Sequence, residues 1–252
     1  MYFGEVTDPN IRHIFRDAGD FIVRPLKCGK FTLYAYAIDG LTSGADTSEY
    51  VIRPITDNLQ GDTIQALYTS ALRGRVYNSV ADPCRDLDTV ALKLVNGFCV
   101  ILFPEAGAIA FEVKTGEKRG ISAPEVENTV KGAKDAFVET VRTNTSLLRR
   151  HLRSPELRLY ETRVGRRSLT NVTVCYVEGI TNPTLVGRMK KRLNDMDTDG
   201  FLSPAAVEEA VTGSRKTAFP LLQYTERADK FCAAMGTAPI AKSGWHVYNN
   251  ME

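Results

Sequence analysis

Four polar residues between positions 144 and 153 have side chains that could bind a ligand. Asn144 carries an amide, which donates and accepts hydrogen bonds, and Arg149, Arg150 and Arg153 follow it closely. The planar guanidinium group of arginine forms paired hydrogen bonds with carboxylates and phosphates. We therefore treat these four residues as candidate contacts for a small ligand or a protein partner.

Each of these residues also has a purely structural interpretation. Asn144 lies on the apolar stripe of a predicted helix, where a buried amide could satisfy its hydrogen bonds by tying the helix to a neighbouring strand or loop. The arginines could form a solvated helix face that pairs with acids such as Glu161 or Glu178, and cations favour the C-terminal end of a helix. The sequence leaves both interpretations open.

A helix followed by a hairpin is expected to position these residues. Apolar residues at helical spacing predict one amphipathic helix from about residue 135 to residue 152. Two strands are predicted next, 157–164 and 169–177, joined by the short loop 165–168. This helix–hairpin block, residues 134–180, is the most informative part of the chain.

The rest of the chain alternates between predicted strands and helices. Strands are predicted at 21–26, 31–38, 98–103, 108–114, near 201 and at 219–223, and helices begin near residues 8, 48, 62, 86, 183 and 203. The first two strands are expected to pair around a hairpin turn at 27–30, and the next two around 104–107. This alternation predicts an α/β fold built on mixed sheets with flanking helices. A charged, polar stretch at 116–131 places the boundary between two small subdomains, residues 1–120 and 121–252.

One acidic stretch has the spacing of a calcium-binding loop but lacks the ligand that closes it. Asp195, Asp197, Asp199 and Gly200 match the early positions, whereas the twelfth position, which should carry a bidentate glutamate, is Ala206. We therefore predict an acidic turn and no metal site.

Motifs for catalysis are not found in the sequence. The three histidines, His13, His151 and His246, are isolated and lack the spacing of metal ligands. Phosphate-binding, dinucleotide-binding and nucleophile-elbow motifs do not occur. We predict a protein that is not an enzyme and needs no metal or cofactor, with an enzyme of unknown class as an alternative, because carboxylates can pair in space without any sequence motif.

The composition is that of an ordinary globular protein. The chain has 252 residues, of which 43% are hydrophobic and 25% charged, and its net charge of +2 does not favour a nucleic-acid partner. Five scattered cysteines without a C-x-x-C pair predict a reducing compartment and no disulfides. The longest apolar run, 98–104, is too short to cross a membrane, and the N-terminus does not resemble a signal peptide. We therefore expect a soluble chain.

Short motifs along the chain follow the order and spacing of a known family. The matching residues of the central block are Gly132, Phe137, Glu139, Asn144, Leu147, Leu148, Arg149, Arg150, Leu157, Gly165 and Tyr176. Further matches are 20–24, 38–41, 53–55, 119–125, 192–193, 219–220 and 225–227. Together they resemble the soluble N-terminal domain of the A subunit of spore nutrient-germination receptors, the GerA family. The family's third arginine is His151 here, its proline after 227 is Ala228, and the resemblance stops at Gly236, before the family's membrane helices.

The resemblance implies two α/β subdomains around a cleft and a role that is not enzymatic. It implies a receptor complex in the spore inner membrane, with this domain on the cytoplasmic (core) side, that responds to a small nutrient ligand by a change of conformation. The implied partners are a transporter-like B subunit, a lipoprotein C subunit and other A subunits. A second hypothesis is a stand-alone module that binds an amino acid or a nucleoside in the cleft.

Overall fold

The structure, a computed structural model, describes residues 1–115, 127, 135–196, 222–236 and 245–247. The chain divides into two compact units, Met1–Glu117 with Arg153–Pro155 and Lys118–Leu152 with Glu156–Glu252. The predicted boundary between residues 120 and 121 lies outside the described residues and stays a prediction.

The first unit is built on a five-stranded sheet with the order β1-β2-β4-β5-β3. Its strands are β1 (Phe21–Cys28), β2 (Phe31–Ile38), β3 (Ala81–Cys84), β4 (Phe98–Phe103) and β5 (Gly107–Glu112). The two predicted hairpins, β1–β2 and β4–β5, are confirmed. Strand β3 was not predicted, since it is short and contains Pro83, which an edge strand tolerates.

The α/β class is confirmed, but the predicted mixing of strand directions within this sheet is wrong. All four neighbouring strand pairs are antiparallel. Alternating strands and helices favour parallel crossovers, yet the helical stretch after β2 leads to β3 at the far edge of the sheet. Strand β4 then pairs with β2 in the opposite direction.

Helices cover both faces of this sheet. Helices α1 (Asp8–Ile14) and α5 (Leu87–Val95) pack on one face, and α3 (Arg53–Asn58) and α4 (Ile64–Ser70) pack on the other. The remaining helical pieces are α2 (Gly44–Thr47), a π-helical turn at Ser48–Ile52, and Ala71–Arg75, where the helix is interrupted at Gly74 with a φ of 87°. All six residues of β4 are buried. Because both faces are covered, this strand is a continuous apolar run rather than an alternating one.

The second unit is built around the hairpin of β6 (Leu157–Val164) and β7 (Thr170–Val177). Helices α6 (Val141–His151) and α8 (Ala228–Gly236) pack against one face of the hairpin, and α7 (Pro183–Asn194) packs against the other. The remaining strands, β8 (Leu222–Tyr224) and β9 (Trp245–Val247), form a parallel pair. The elements predicted near residues 201 and 203 lie outside the described residues.

Helix α6 begins at Val141, six residues later than the sequence predicts. Residues 135–140 are extended instead, because their backbone groups have partners far away in the chain. The Phe137 N–H donates to the Glu226 carbonyl at 2.8 Å, and Ala136 forms an isolated antiparallel bridge with Arg227. Helical periodicity in this segment is therefore overridden by long-range pairing.

Among the helices of the described residues, none combines the length and the apolar character that crossing a membrane requires.

Replacing two glycines, Gly97 and Gly187, with alanine should change the free energy of unfolding in opposite directions. Gly97 has a φ of 81°, and a Cβ there would lie 2.9 Å from the Leu41 carbonyl oxygen. We expect Gly97→Ala to lower the free energy of unfolding by about 2 kcal/mol, because the backbone or its neighbour must shift. Gly187 lies inside α7 with no atom near its position for a Cβ, so Gly187→Ala should raise the free energy of unfolding by about 1 kcal/mol. Urea unfolding of both variants measures these changes, and equal signs would contradict the structure.

Candidate functional site

The amide of Asn144 is fully buried and holds the extended segment 135–140 in place. Its Nδ2 donates to the Val138 carbonyl at 2.5 Å, and its Oδ1 accepts from the Val138 N–H at 2.8 Å. One side chain therefore satisfies both backbone groups of one residue, as a neighbouring strand would. We call this arrangement the Asn144 clamp. A ligand contact by Asn144 stays a prediction.

The segment held by the clamp meets residues that are about ninety positions away in the sequence. Besides the Phe137 bond to Glu226, the Ala228 N–H donates to the Asp135 carbonyl at 3.4 Å. The Phe137 ring makes an edge-to-face contact with Phe231 of α8, with 5.6 Å between ring centroids. Two of the family-like motifs, one around residue 137 and the other at 225–227, thus build a single structural unit.

Charged side chains support the same region. Glu127 accepts from the Thr225 hydroxyl at 2.7 Å and lies 3.2 Å from Lys230 Nζ. Arg227 pairs with Asp229, and this hydrogen bond lowers the pKa of the Asp229 carboxyl. The carboxylate is thus favoured in the folded state, so the stability that it contributes is lost as the pH falls.

The four predicted contact residues are divided between the two units. Asn144, Arg149 and Arg150 lie on α6 in the second unit, whereas Arg153 belongs to the first unit and donates to Asn96 Oδ1 at 3.3 Å. Arg149 is fully buried and is the largest fully buried side chain among the described residues. Arg150 is partly buried. Burying an arginine lowers stability unless its N–H donors are hydrogen-bonded. We therefore interpret Arg149 as part of the internal structure of this unit.

The two acids proposed as arginine partners are paired along the hairpin. Glu161 Oε1 lies 2.9 Å from Arg142 Nη1. Glu178 accepts from Arg158 Nε at 3.1 Å, and the Arg158 side chain is 97% buried while that of Glu178 is 36% exposed. Of these two paired arginines, Arg158 is buried, whereas Arg142 is 36% exposed at the surface.

A groove in the first unit offers a different ligand-sized space, with a volume of about 370 Å³. It is lined by the β1–β2 turn, the start of α4 and the β4–β5 turn, and by Phe31, Ile64 and Pro104 as apolar side chains. Lys30, Asp62 and Glu105 line the same groove, and the described residues offer none of the three an ion-pair partner. Sequence reasoning placed these positions in two turns and at the start of a helix. It did not bring them together, because the three segments are far apart in the chain.

Groups for metal or covalent chemistry are not assembled in the described part of the chain. There, no cluster of three or more histidine, cysteine, aspartate or glutamate side chains could hold a metal ion. All five cysteines are free thiols. Burial raises the pKa of Cys84 to about 11 and that of Cys99 and Cys232 to about 12, so these thiols are protonated and weakly nucleophilic near neutral pH. The acidic stretch 197–200 lies outside the described residues.

Removing the Asn144 clamp should destabilise the second unit. Asn144→Ala leaves the two backbone groups of Val138 without the amide, which we expect to cost about 2–3 kcal/mol of unfolding free energy. Asn144→Asp keeps the acceptor for the Val138 N–H but sets a carboxylate against the Val138 carbonyl. The loss of unfolding free energy in this variant should be smaller at acidic pH, where the protonated carboxyl can donate a hydrogen bond to the Val138 carbonyl.

Hydrogen exchange of the Val138 amide and urea unfolding measure both effects. The matched control is Asn171→Ala on the exposed part of β7, which should change the unfolding free energy by less than about 0.5 kcal/mol. Equal losses in the Asn144 and Asn171 variants would show that the clamp does not hold the segment.

The buried thiols should be protected from alkylation in the folded chain. Near pH 8 we expect Cys84, Cys99 and Cys232 to react with iodoacetamide on the order of tenfold more slowly than in denaturant. Because the folded thiols keep protons that unfolded thiols lose above a pKa of about 8.5, stability should fall as the pH rises further. Fast labelling of Cys99 in the native chain, followed by mass spectrometry, would contradict its burial.

Known proteins are similar to this chain over most of its length. The profile of the family "Bacillus/Clostridium GerA spore germination protein" matches residues 9–240. Spore germination protein GerLA of Bacillus cereus is 29% identical over 243 residues, which is 93% of this chain and 48% of that protein. Stage V sporulation protein AF of Bacillus subtilis is 35% identical over 160 residues, 63% of this chain and 32% of that protein. The chain thus spans between a third and a half of the length of these relatives.

A solved structure shares the fold. The crystal structure of the N-terminal domain of the A subunit of the Bacillus megaterium spore germinant receptor GerK3 superimposes with a TM-score of 0.66. It is 22% identical, and the match covers 89% of this chain and 84% of that one. The fold similarity and the profile match over residues 9–240 agree. The chain therefore belongs to the GerA family of spore germination proteins.

Proposed function

We propose that this chain is the N-terminal domain of a germinant-receptor A subunit, and that it takes part in the response of spores to nutrients and in the assembly of the receptor complex. The observation that carries the proposal is the family match over residues 9–240, which extends over nearly the whole chain. The fold similarity to an A-subunit N-terminal domain supports it. The protein acts without catalysing a reaction.

The proposed partners are a transporter-like B subunit, a lipoprotein C subunit and other A subunits. The complex lies in the spore inner membrane, with this domain on the cytoplasmic (core) side. The germination and sporulation names of several relatives support this setting. Arg150, which is partly buried on α6, and Arg153 are the candidate partner contacts on the surface.

The proposed mechanism is a shift between conformational states. A ligand or a partner can shift such an equilibrium only as far as it binds one state better than the other. The Asn144 clamp supports this mechanism, because one side chain joins α6 to a segment that also contacts α8. In this proposal, a change at either helix reaches the other through these contacts.

A stand-alone small-molecule binding module is the second candidate. The groove of the first unit favours it, because Phe31 and Ile64 supply apolar surface while Lys30, Asp62 and Glu105 supply both signs of charge. An amino acid would fit such a mixture, since it carries an ammonium, a carboxylate and a side chain. This candidate differs from the first in requiring no membrane partner.

Deleting the region that encodes this domain from its gene tests the first proposal. We expect the resulting spores to form in normal yield but to lose their response to nutrients, followed as the fall in optical density on germination. A full-length protein carrying Asn171→Ala is the control and should respond normally. Unchanged germination of the deletion strain would overturn the proposal.

The second candidate has its own measurement. Thermal unfolding of the purified chain with single amino acids and nucleosides should show a specific rise in melting temperature if the groove binds one of them. Asp62→Asn and Glu105→Gln should abolish that rise. Ligand stabilisation together with normal germination of the deletion strain would favour the stand-alone module over the receptor domain.

A further inference from the structure

One end of the second unit carries an excess of positive charge that the described residues do not pair. Residues 163–169 and 183–196 contain seven lysines and arginines and a single carboxylate, Asp195, although the whole chain has a net charge of only +2. The first range includes the tip of the β6–β7 hairpin, and the second is α7 with the two residues that follow it. We use the name basic end for the four exposed residues Arg167, Arg188, Lys191 and Arg192.

The fold brings these cations to the same end of the unit. Helix α7 starts six residues after β7 ends, at the base of the hairpin, and runs towards its tip. At the C-terminal end of α7, Asn194 Oδ1 accepts from the Thr162 hydroxyl at 3.1 Å. Val164, next to the tip, packs with Met189 and Leu193. The last turns of α7 and the hairpin tip are therefore neighbours.

The helix separates its inward lysine from its outward cations. The inward residue is Lys190, which lies over two aromatic rings of the hairpin. Its Nζ lies 4.6 Å from the centre of the Tyr160 ring and 5.3 Å from that of Tyr176. Arg188, Lys191 and Arg192 lie about 100° or more from Lys190 around the helix and are exposed.

The four cations of the basic end have no partner among the described residues. Neither a hydrogen bond nor an ion pair joins Arg167, Arg188, Lys191 or Arg192 to a described acid. Elsewhere in the same unit, Arg142 and Arg158 are paired with glutamates. Among the described residues, the glutamates of the hairpin region therefore pair with these two arginines, and the four cations of the basic end are left to interact with an external anion.

An apolar side chain projects from the same tip. Leu169 follows the tip arginines closely, is 56% exposed and has a φ of 47°. This left-handed backbone conformation is unfavourable for leucine. An exposed leucine among arginines is the combination found in segments that bind membrane surfaces, where cations meet lipid phosphates and an apolar group enters the headgroup boundary.

We propose that the basic end, with Leu169, docks on an anionic phospholipid surface. The proposal goes beyond the receptor function, because it assigns lipid headgroups as a direct contact of this domain. Arginine and lysine bind the phosphates, and Leu169 adds apolar contact that a soluble anion cannot exploit. A nucleic-acid surface is less well matched, since it gains nothing from a leucine at the tip and the chain as a whole is not strongly basic.

Vesicle sedimentation of the purified 252-residue chain tests the charge requirement. We expect binding to vesicles that contain phosphatidylglycerol, weak binding to pure phosphatidylcholine, and loss of binding at high salt. Arg167→Glu, Arg188→Glu and Arg192→Glu combined should weaken binding on the order of tenfold or more.

The matched control makes the same change of net charge elsewhere. Arg24→Glu, Arg73→Glu and Arg75→Glu alter three exposed arginines of the first unit, and this triple variant should retain most of the binding. Unfolding curves show that each variant is folded. If both triple variants bind alike, or if the unaltered chain does not bind anionic vesicles, the proposal is wrong.

A second variant distinguishes binding to a lipid surface from binding to other anions. Leu169→Asn introduces a residue that tolerates a positive φ and removes the apolar group. We expect it to weaken vesicle binding several-fold while leaving retention on inorganic polyphosphate or duplex DNA unchanged. The lipid proposal is overturned if Leu169→Asn binds vesicles as well as the unaltered chain does and the unaltered chain binds duplex DNA more tightly than it binds vesicles. These results would identify a general polyanion surface.

Discussion

The paired hydrogen bonds between the Asn144 amide and the backbone of Val138 determine how the second unit is assembled. They hold residues 135–140 extended, so that α6 can begin only at Val141. The extended segment then pairs with residues 226–228 and places Phe137 against Phe231. Because the amide is fully buried, water cannot substitute for these bonds, and the cost of losing them is high.

Arginine side chains have two separate roles in this unit. Which role each one has depends on how deeply it is buried and whether it is paired. Arg149 and Arg158 are buried, and Arg158 is paired with Glu178, so these side chains belong to the internal structure. The cations of the basic end are exposed and unpaired among the described residues. A buried charge without partners would be strongly destabilising, whereas an exposed charge costs little and remains free to attract an anionic surface.

The first unit depends on apolar burial and contributes little reactive chemistry. Strand β4 is buried on both faces between two layers of helices, and Cys99 within it behaves as a small apolar residue. The polar groups that could meet a ligand lie at the turns and at the start of α4, where strands and helices end.

The sequence by itself determined the family, the α/β class, both hairpins of the first sheet and the hairpin of the second unit, since these depend on local periodicity and turn residues. It also identified Asn144 as a buried amide on an apolar stripe, but not its partner. Tertiary structure alone decided the antiparallel order of the first sheet, the late start of α6 and the inward turn of Lys190. Each of these depends on contacts between residues distant in sequence, and such contacts outweigh the small energies of local propensity.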